Sequence, residues 1–341
     1  MDANLDRIRE GLRVIEEVAR FLLDDAAIAG QLKAMRHEFG AMERSLQPRL
    51  LAARRAGADL GAFADTPQEV KRDDLVSLVS ANAKRVEESL RVLEEFGKLP
   101  DMGVEPAAFK RARFALYDIE QALVSRLLRR ERREKVRGLY VIVDPELARG
   151  RGGVEVAQAA IRGGARVIQL RDKKHDKGDI LPVARRLKEV CAQAGALFIM
   201  NDHPDLALAA DADGVHLGQH DLPTLEARRI LPPDRIVGCS TALVEEALQA
   251  EREGADYIAV GTIFPTATKA VTRPAGLETL RRVKAAVSVP VVAIGGINES
   301  NAAEVARAGA DAIAVISAVV SADHVEEAAR RLALKFESGQ A

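Results

Sequence analysis

The sequence predicts an α/β protein: a (β/α)8 TIM barrel preceded by an all-α domain with an internal repeat. Three observations predict it: the texture changes near Val136, eight short apolar runs follow that point, and a helical stripe with a repeated segment precedes it. A chain of 341 residues is long enough for two domains at roughly 100–200 residues each. Its 48% hydrophobic and 30% charged content is that of a folded chain. The net charge of −1 leaves no basic field over the whole chain, which excludes a protein built mainly to bind nucleic acid.

Residues 1–135 read as the helical domain. Leu5, Ile8, Leu12, Ile15, Ala19 and Leu22 recur at the spacing of one helix face. Pro48, Pro67, Pro100 and Pro106 punctuate the segment, as turns between helices would. The stretch 2–21 returns at 80–99: DANLDRIREGLRVIEE becomes SANAKRVEESLRVLEE, 78 positions on. Two related helices sharing one core are expected. Arg13–Glu17 and Arg91–Glu95 are i,i+4 pairs, the chemistry of a solvated helix face, with a polar interface or small-ligand site as the alternative.

Residues 136–341 read as the barrel. The apolar runs are Leu139–Val143, Arg166–Leu170, Ala196–Met200, Gly214–Leu217, Arg235–Val237, Tyr257–Val260, Pro290–Ile294 and Ala312–Ile316. Amphipathic stretches separate most of them, which implies parallel strands covered by helices. GGARVIQL, EGADYIAV and AGADAIAV mark equivalent positions, each with a glycine ending a helix before a strand. An open doubly wound sheet is the alternative fold. Neither GxGxxG after the first strand nor GxxxxGK[ST] occurs.

Chemistry in such a barrel collects where strands end. Arg171, Lys173 and Lys269 bring cations to one mouth, a planar fork and point charges suited to a polyphosphate. Gly295-Gly296 follows strand 7, beside the recurrent phosphate site of this fold. Asp202 and Asp221 end adjacent strands and offer hard oxygens to Mg²⁺, N-caps of the following helices being the alternative. His216 and His220 are four apart but lie on either side of Gly218, so structural or solvent-facing roles are expected for the histidines. Cys239 reads as packing, and Cys191 and Cys239 form no CxxC. With no evident general base, these residues suit a reaction in which a metal helps a diphosphate leave.

The blocks QLRDK (169–173), ND (201–202), GVHLGQHD (214–221), GCST (238–241), FPTATK (264–269), AIGGI (293–297) and VIS (315–317) resemble, at matching spacing, the thiamine-phosphate synthase (thiamine-phosphate pyrophosphorylase) family. The resemblance implies a transferase that joins 4-amino-5-hydroxymethyl-2-methylpyrimidine diphosphate to a thiazole phosphate, giving thiamine phosphate and diphosphate. It implies that Gln169, Leu170, Arg171, Asp172, Lys173, Asn201, Ser240 and Lys269 bind the pyrimidine diphosphate. Arg171, Lys173, Ser240 and Lys269 would be catalytic among them. Thr266, Ala267, Thr268, Gly296, Ile316 and Ser317 would hold the thiazole phosphate, and Asp202 and Asp221 the Mg²⁺. The helical half resembles an amino-terminal extension found on some bacterial members.

The rival reading for the barrel is a thiazole tautomerase, which needs no metal and no diphosphate constellation. For the helical half, an interaction module and a second enzyme of the pathway compete. Small phosphorylated molecules are the expected partners, with no nucleic acid and no membrane, and a homo-oligomer is compatible with the sequence. The charged start MDANLDRIRE and the absence of a long apolar run predict a cytoplasmic protein.

Overall fold

The computed structural model describes residues 1–53, 72–100, 102–265 and 274–340. The chain forms two compact units, Met1–Leu128 and Arg129–Ala341.

The first unit is helical. It contains α1 (Asp2–Glu17) with a π-helical turn at Val18–Leu22, α2 (Ala26–Ala53), α3 (Leu75–Phe96) and most of α4 (Pro106–Glu134). The repeated segments are α1 and α3, packed against each other. Leu5, Ile8, Leu12 and Ile15 are fully buried, as are their counterparts Ala83, Val86, Leu90 and Leu93. Each large aliphatic buried this way contributes roughly 1.5–3 kcal/mol. Gly11 allows the two backbones to approach, since a Cβ there would lie 2.5 Å from Val86 Cγ2. Phe39 and Phe109 stack at 5.9 Å in the same core. Pro106 opens α4, where its missing N–H costs nothing, but Pro48 lies inside α2 rather than between helices. Pro67 is outside the described residues.

The repeated polar residues divide into two sets. Arg13–Glu17 and Arg91–Glu95 are half-exposed pairs at 2.8 Å, as the spacing predicts. Glu16 and Glu94, by contrast, are buried equivalents, and each takes an arginine from the helix that follows. Arg36 Nε donates to Glu16 and Arg113 Nη2 to Glu94, at 2.8 and 2.9 Å. The repeat therefore encodes a helix pair with an internal ion pair, beyond an apolar stripe.

The second unit is a closed barrel of eight parallel strands in sequential order. These are β1 (Gly138–Val143), β2 (Ala165–Leu170), β3 (Leu197–Asn201), β4 (Gly214–Leu217), β5 (Ile236–Thr241), β6 (Tyr257–Gly261), β7 (Val291–Ile294) and β8 (Ala312–Val315). The outer helices are α5 (Gly153–Arg162), α6 (Lys177–Ala194), α7 (Pro204–Ala209), α8 (Thr224–Ile230), α9 (Val244–Arg252), α10 (Gly276–Ala286), α11 (Ala302–Arg307), α12 (Ser317–Val320) and α13 (Val325–Gln340). Alternate residues of each strand serve two cores. Tyr140, Ile142, Val167, Leu197, Ile199, Ile236, Tyr257, Ala259, Val292, Ala312 and Ala314 fill the barrel interior. Residues such as Val141, Ile168, Phe198, Val215 and Ile258 face the helices. β5 runs further than the sequence suggests, because Gly238 to Thr241 pair in register with Tyr257 to Val260 despite their polarity.

Three aspartates fasten the base of the barrel. Asp213, Asp256 and Asp311 immediately precede β4, β6 and β8. Each accepts a backbone N–H from the preceding strand: Phe198, Val237 and Val291 donate at 2.9, 2.8 and 2.7 Å. Each also meets a helix cation, Lys188, Arg228 and Lys284 respectively. In GGARVIQL, EGADYIAV and AGADAIAV a glycine does follow the helix end and precede the strand, and ADADGVHL adds Asp213, which does what Asp256 and Asp311 do.

Candidate active site

The interior alternation sets the site. Following the interior alternation two residues beyond the last apolar side chain of β1, β3, β7 and β8 leads to Asp144, Asn201, Gly296 and Ile316, and four residues beyond that of β2 and β5 leads to Arg171 and Ser240, all at the carboxyl ends of their strands. The sequence singled out all of these but Asp144. Leu170 points outward into the barrel–helix layer, so only its backbone can face the mouth. Asp172 shapes its own loop: its carboxylate accepts the backbone N–H groups of Lys174 and His175 at 3.0 Å and meets His175 Nδ1 at 2.8 Å. Burial alone would raise its pKa, but these donors together hold it below the ordinary aspartate value.

Below this rung runs a buried chain of hydrogen bonds. Gln169 Nε2 donates to Asn201 Oδ1 at 2.6 Å, and Tyr140 donates its hydroxyl to Gln169 Oε1 at 2.9 Å. Tyr140 and Tyr257 share a bond at 3.0 Å, Tyr257 Oη lies 3.1 Å from His216 Nδ1, and His216 Nε2 lies 2.9 Å from Ser240 Oγ. The sequence foresaw the two ends of this chain but not its middle. Tyr140 and Tyr257 sit in apolar strands and read as core, and burial does push both phenols well above their usual range. His216 fits its expected structural role, with its ring stacked on Tyr257 at 5.6 Å. Gly238 makes room for this arrangement, since a Cβ there would meet the Tyr257 ring at 1.9 Å.

Two kinds of charge flank the chain. Arg171 pairs with the buried Asp144, which also accepts the Glu146 N–H at 3.0 Å. Lys173 Nζ lies 3.2 Å from Asp202 Oδ2 and remains half exposed. Asp202 holds a left-handed φ of 62°, a conformation that Asp tolerates better than most residues. Asp221 accepts the Gly218 N–H at 2.6 Å and hydrogen-bonds the Asp202 carboxyl. Burial and that neighbouring acid raise the Asp221 pKa. His203 and Pro223 occupy the cap positions of α7 and α8, so neither aspartate caps the helix after it. Two adjacent carboxyls of this kind can coexist around a shared proton or a cation, and as a hard oxygen pair they fit Mg²⁺. Among the described residues no cluster of three or more His, Cys, Asp or Glu could hold a metal.

The remaining predicted residues fall into three groups. Gly295 and Gly296 adopt φ of 100° and 66° and pack against Thr262–Pro265, where a Cβ on Gly296 would meet Pro265 O at 2.7 Å. Ile316 and Ser317 begin α12 directly after β8. Thr266, Ala267, Thr268 and Lys269 lie outside the described residues. Cys239 is buried against Thr224 Oγ1, and burial pushes its thiol up to about 11, which suits packing and not nucleophilic attack. His220 is exposed and apart from buried His216, so the two make no zinc pair. No helix among the described residues is long and apolar enough to cross a membrane.

The chain is similar in sequence and fold to known proteins. Residues 139–319 match the family described as thiamine monophosphate synthase, and residues 1–122 match the ThiD2 family. Over 341 residues the chain is 42% identical to a thiamine-phosphate synthase of Thermosynechococcus vestitus, covering all of this chain and 95% of that one. A second such synthase, from a Nostoc species, is 43% identical over 329 residues, 95% of this chain and 89% of the relative. A solved thiamine phosphate pyrophosphorylase from Pyrococcus furiosus superposes with a TM-score of 0.57 at 43% identity, covering 61% of this chain and 99% of that one. With the whole length matched at 42% identity and the barrel matched by the family model, the chain belongs to the thiamine-phosphate synthase family.

Proposed function

We propose that the barrel joins 4-amino-5-hydroxymethyl-2-methylpyrimidine diphosphate to 4-methyl-5-(2-phosphoethyl)thiazole, or to its carboxylated form with loss of CO₂, releasing diphosphate and giving thiamine phosphate. The observation that carries the reading is the pairing of Lys173 with Asp202, itself hydrogen-bonded to Asp221, at the same end of the barrel as the Arg171–Asp144 pair. The C–O bond between the pyrimidine methylene and the diphosphate breaks, both electrons leaving with the diphosphate. The thiazole nitrogen then forms the new C–N bond, so no proton need be abstracted. Arg171, held by Asp144, and Lys173 stabilise the charge that develops on the departing diphosphate. Asn201 and Ser240 orient the pyrimidine, and Lys269 adds a further cation. Thr266, Ala267, Thr268, Gly296, Ile316 and Ser317 receive the thiazole phosphate. Asp202 and Asp221 would hold Mg²⁺, which when bound neutralises charge on the diphosphate oxygens. Chelation with EDTA should abolish turnover and added Mg²⁺ restore it, and Asp202→Ala should cost mainly kcat. Turnover indifferent to both would remove the metal from the account.

A further inference from the structure

The buried chain beneath the site has a direction, and counting hydrogens reveals it. Gln169 Oε1 can only accept, so Tyr140 spends its single hydrogen there. Tyr140 oxygen must then accept from Tyr257 across their 3.0 Å contact. Tyr257 has spent its own hydrogen, so its oxygen accepts from His216, which requires the proton on Nδ1. A neutral ring protonated at Nδ1 has a bare Nε2, and the 2.9 Å contact to Ser240 must be donated by the serine. At the other end, Asn201 Oδ1 is engaged by Gln169 Nε2, which directs the asparagine's N–H₂ group outward.

We propose that Gln169, Tyr140, Tyr257 and His216 form a polarity lock that fixes His216 as its Nδ1–H tautomer, presents Ser240 to the barrel mouth as an acceptor only, and presents Asn201 as a donor. The substrate group opposite Ser240 must then carry an N–H, and the group opposite Asn201 must carry lone pairs or negative charge. Tyr140, Tyr257 and His216 act as positioning residues, since each works through a neighbour. All three are buried, so water does not compete for these bonds. The tyrosine hydroxyls supply what a wholly apolar interior would lack: a link between Gln169 on β2 and Ser240 on β5, strands that are not neighbours in the barrel. Gly238 serves the lock by leaving space for the Tyr257 ring.

The lock itself is independent of the substrate, whereas the identity of the N–H group rests on the coupling reaction proposed above. With that reaction, the ring amino group of the pyrimidine is the N–H that Ser240 accepts. The chain has six histidines, so a variant with His37, His175, His203, His220 and His324 replaced by Gln leaves His216 alone. Ring ¹⁵N NMR of that full-length variant should show one static tautomer, protonated at Nδ1 and bare at Nε2. Tyr257→Phe in the same background should release it to an averaged or reversed tautomer. An Nε2–H tautomer, an averaged ring or a doubly protonated ring before that substitution would overturn the lock. In the coupling assay Ser240→Ala should lower kcat/KM for the natural pyrimidine diphosphate about tenfold. The loss should be several-fold smaller on an analogue with a dimethylamino group in place of the amino group. Equal losses on both would overturn the amino assignment, and absence of any coupling would overturn the reaction while the tautomer result stands.

Discussion

Asp144 shows how a residue outside the obvious inventory can govern one inside it. Arg171 is legible in sequence as a cation ending an apolar strand, but the same argument looks past Asp144, whose strand is followed by an ordinary turn. In the structure Asp144 is buried, caps the turn at Pro145–Leu147 through the Glu146 N–H, and holds the Arg171 guanidinium. Replacing Asp144 with Asn keeps the turn acceptor and the shape but removes the counter-charge. Arg171 should then lose its fixed position, and kcat/KM should fall roughly 10–100-fold with far-ultraviolet circular dichroism unchanged, as expected for a displaced site group. Wild-type kinetics in this variant would deny Asp144 its role. Tyr140 and Tyr257 were illegible for another reason: a buried tyrosine in a strand looks like core until its hydroxyl's partner is known.

At the scale of elements, the sequence was most readable where period and burial coincide. The eight strands, the stripe of α1 and its copy in α3 all follow from apolar spacing. What spacing cannot show is which polar residue turns inward, as Glu16 and Glu94 do. Glu87 is another example, a buried residue of α3 facing Glu120 of α4. Its counterpart in the repeat is Arg9, which pairs with Glu43. Burial first, then the Glu120 charge, pushes the Glu87 pKa up to about 7. A carboxyl raised above its unfolded value binds more protons folded than unfolded, so its effect on stability is fully favourable below about pH 4.5 and is lost as pH rises through about 7. Urea unfolding should therefore find the helical unit more stable at pH 5 than at pH 8, and Glu87→Gln should flatten that difference. A slope that persists unchanged in the variant would assign it to other groups.

For the whole molecule, composition indicates a change of domain near Val136, whereas contacts divide the chain after Leu128. The physical reason is in the intervening arginines. Arg129 donates to Asp256 at 2.8 Å, Arg132 donates to Asp234, and Arg133 donates to the Ser288 carbonyl at 2.7 Å. Helical spacing hides such bonds, because the partners lie a hundred residues or more along the chain. A fragment beginning at Arg129 should keep the coupling reaction, since every proposed site residue lies in that unit. A fragment beginning at Val136 should melt several degrees lower, because it leaves buried Asp256 short of a counter-ion. Equal melting temperatures would show that these arginines contribute nothing measurable.

The central claim is a coupling of two substrates, which separates this barrel from an isomerase acting on the thiazole phosphate alone. The most direct measurement incubates the full-length protein and Mg²⁺ with the pyrimidine diphosphate, the thiazole phosphate, or both, and quantifies thiamine phosphate and released diphosphate. Equal amounts of the two products, formed only when both substrates are present, are predicted. Conversion of the thiazole phosphate by itself, with no diphosphate released when both are supplied, would contradict the account.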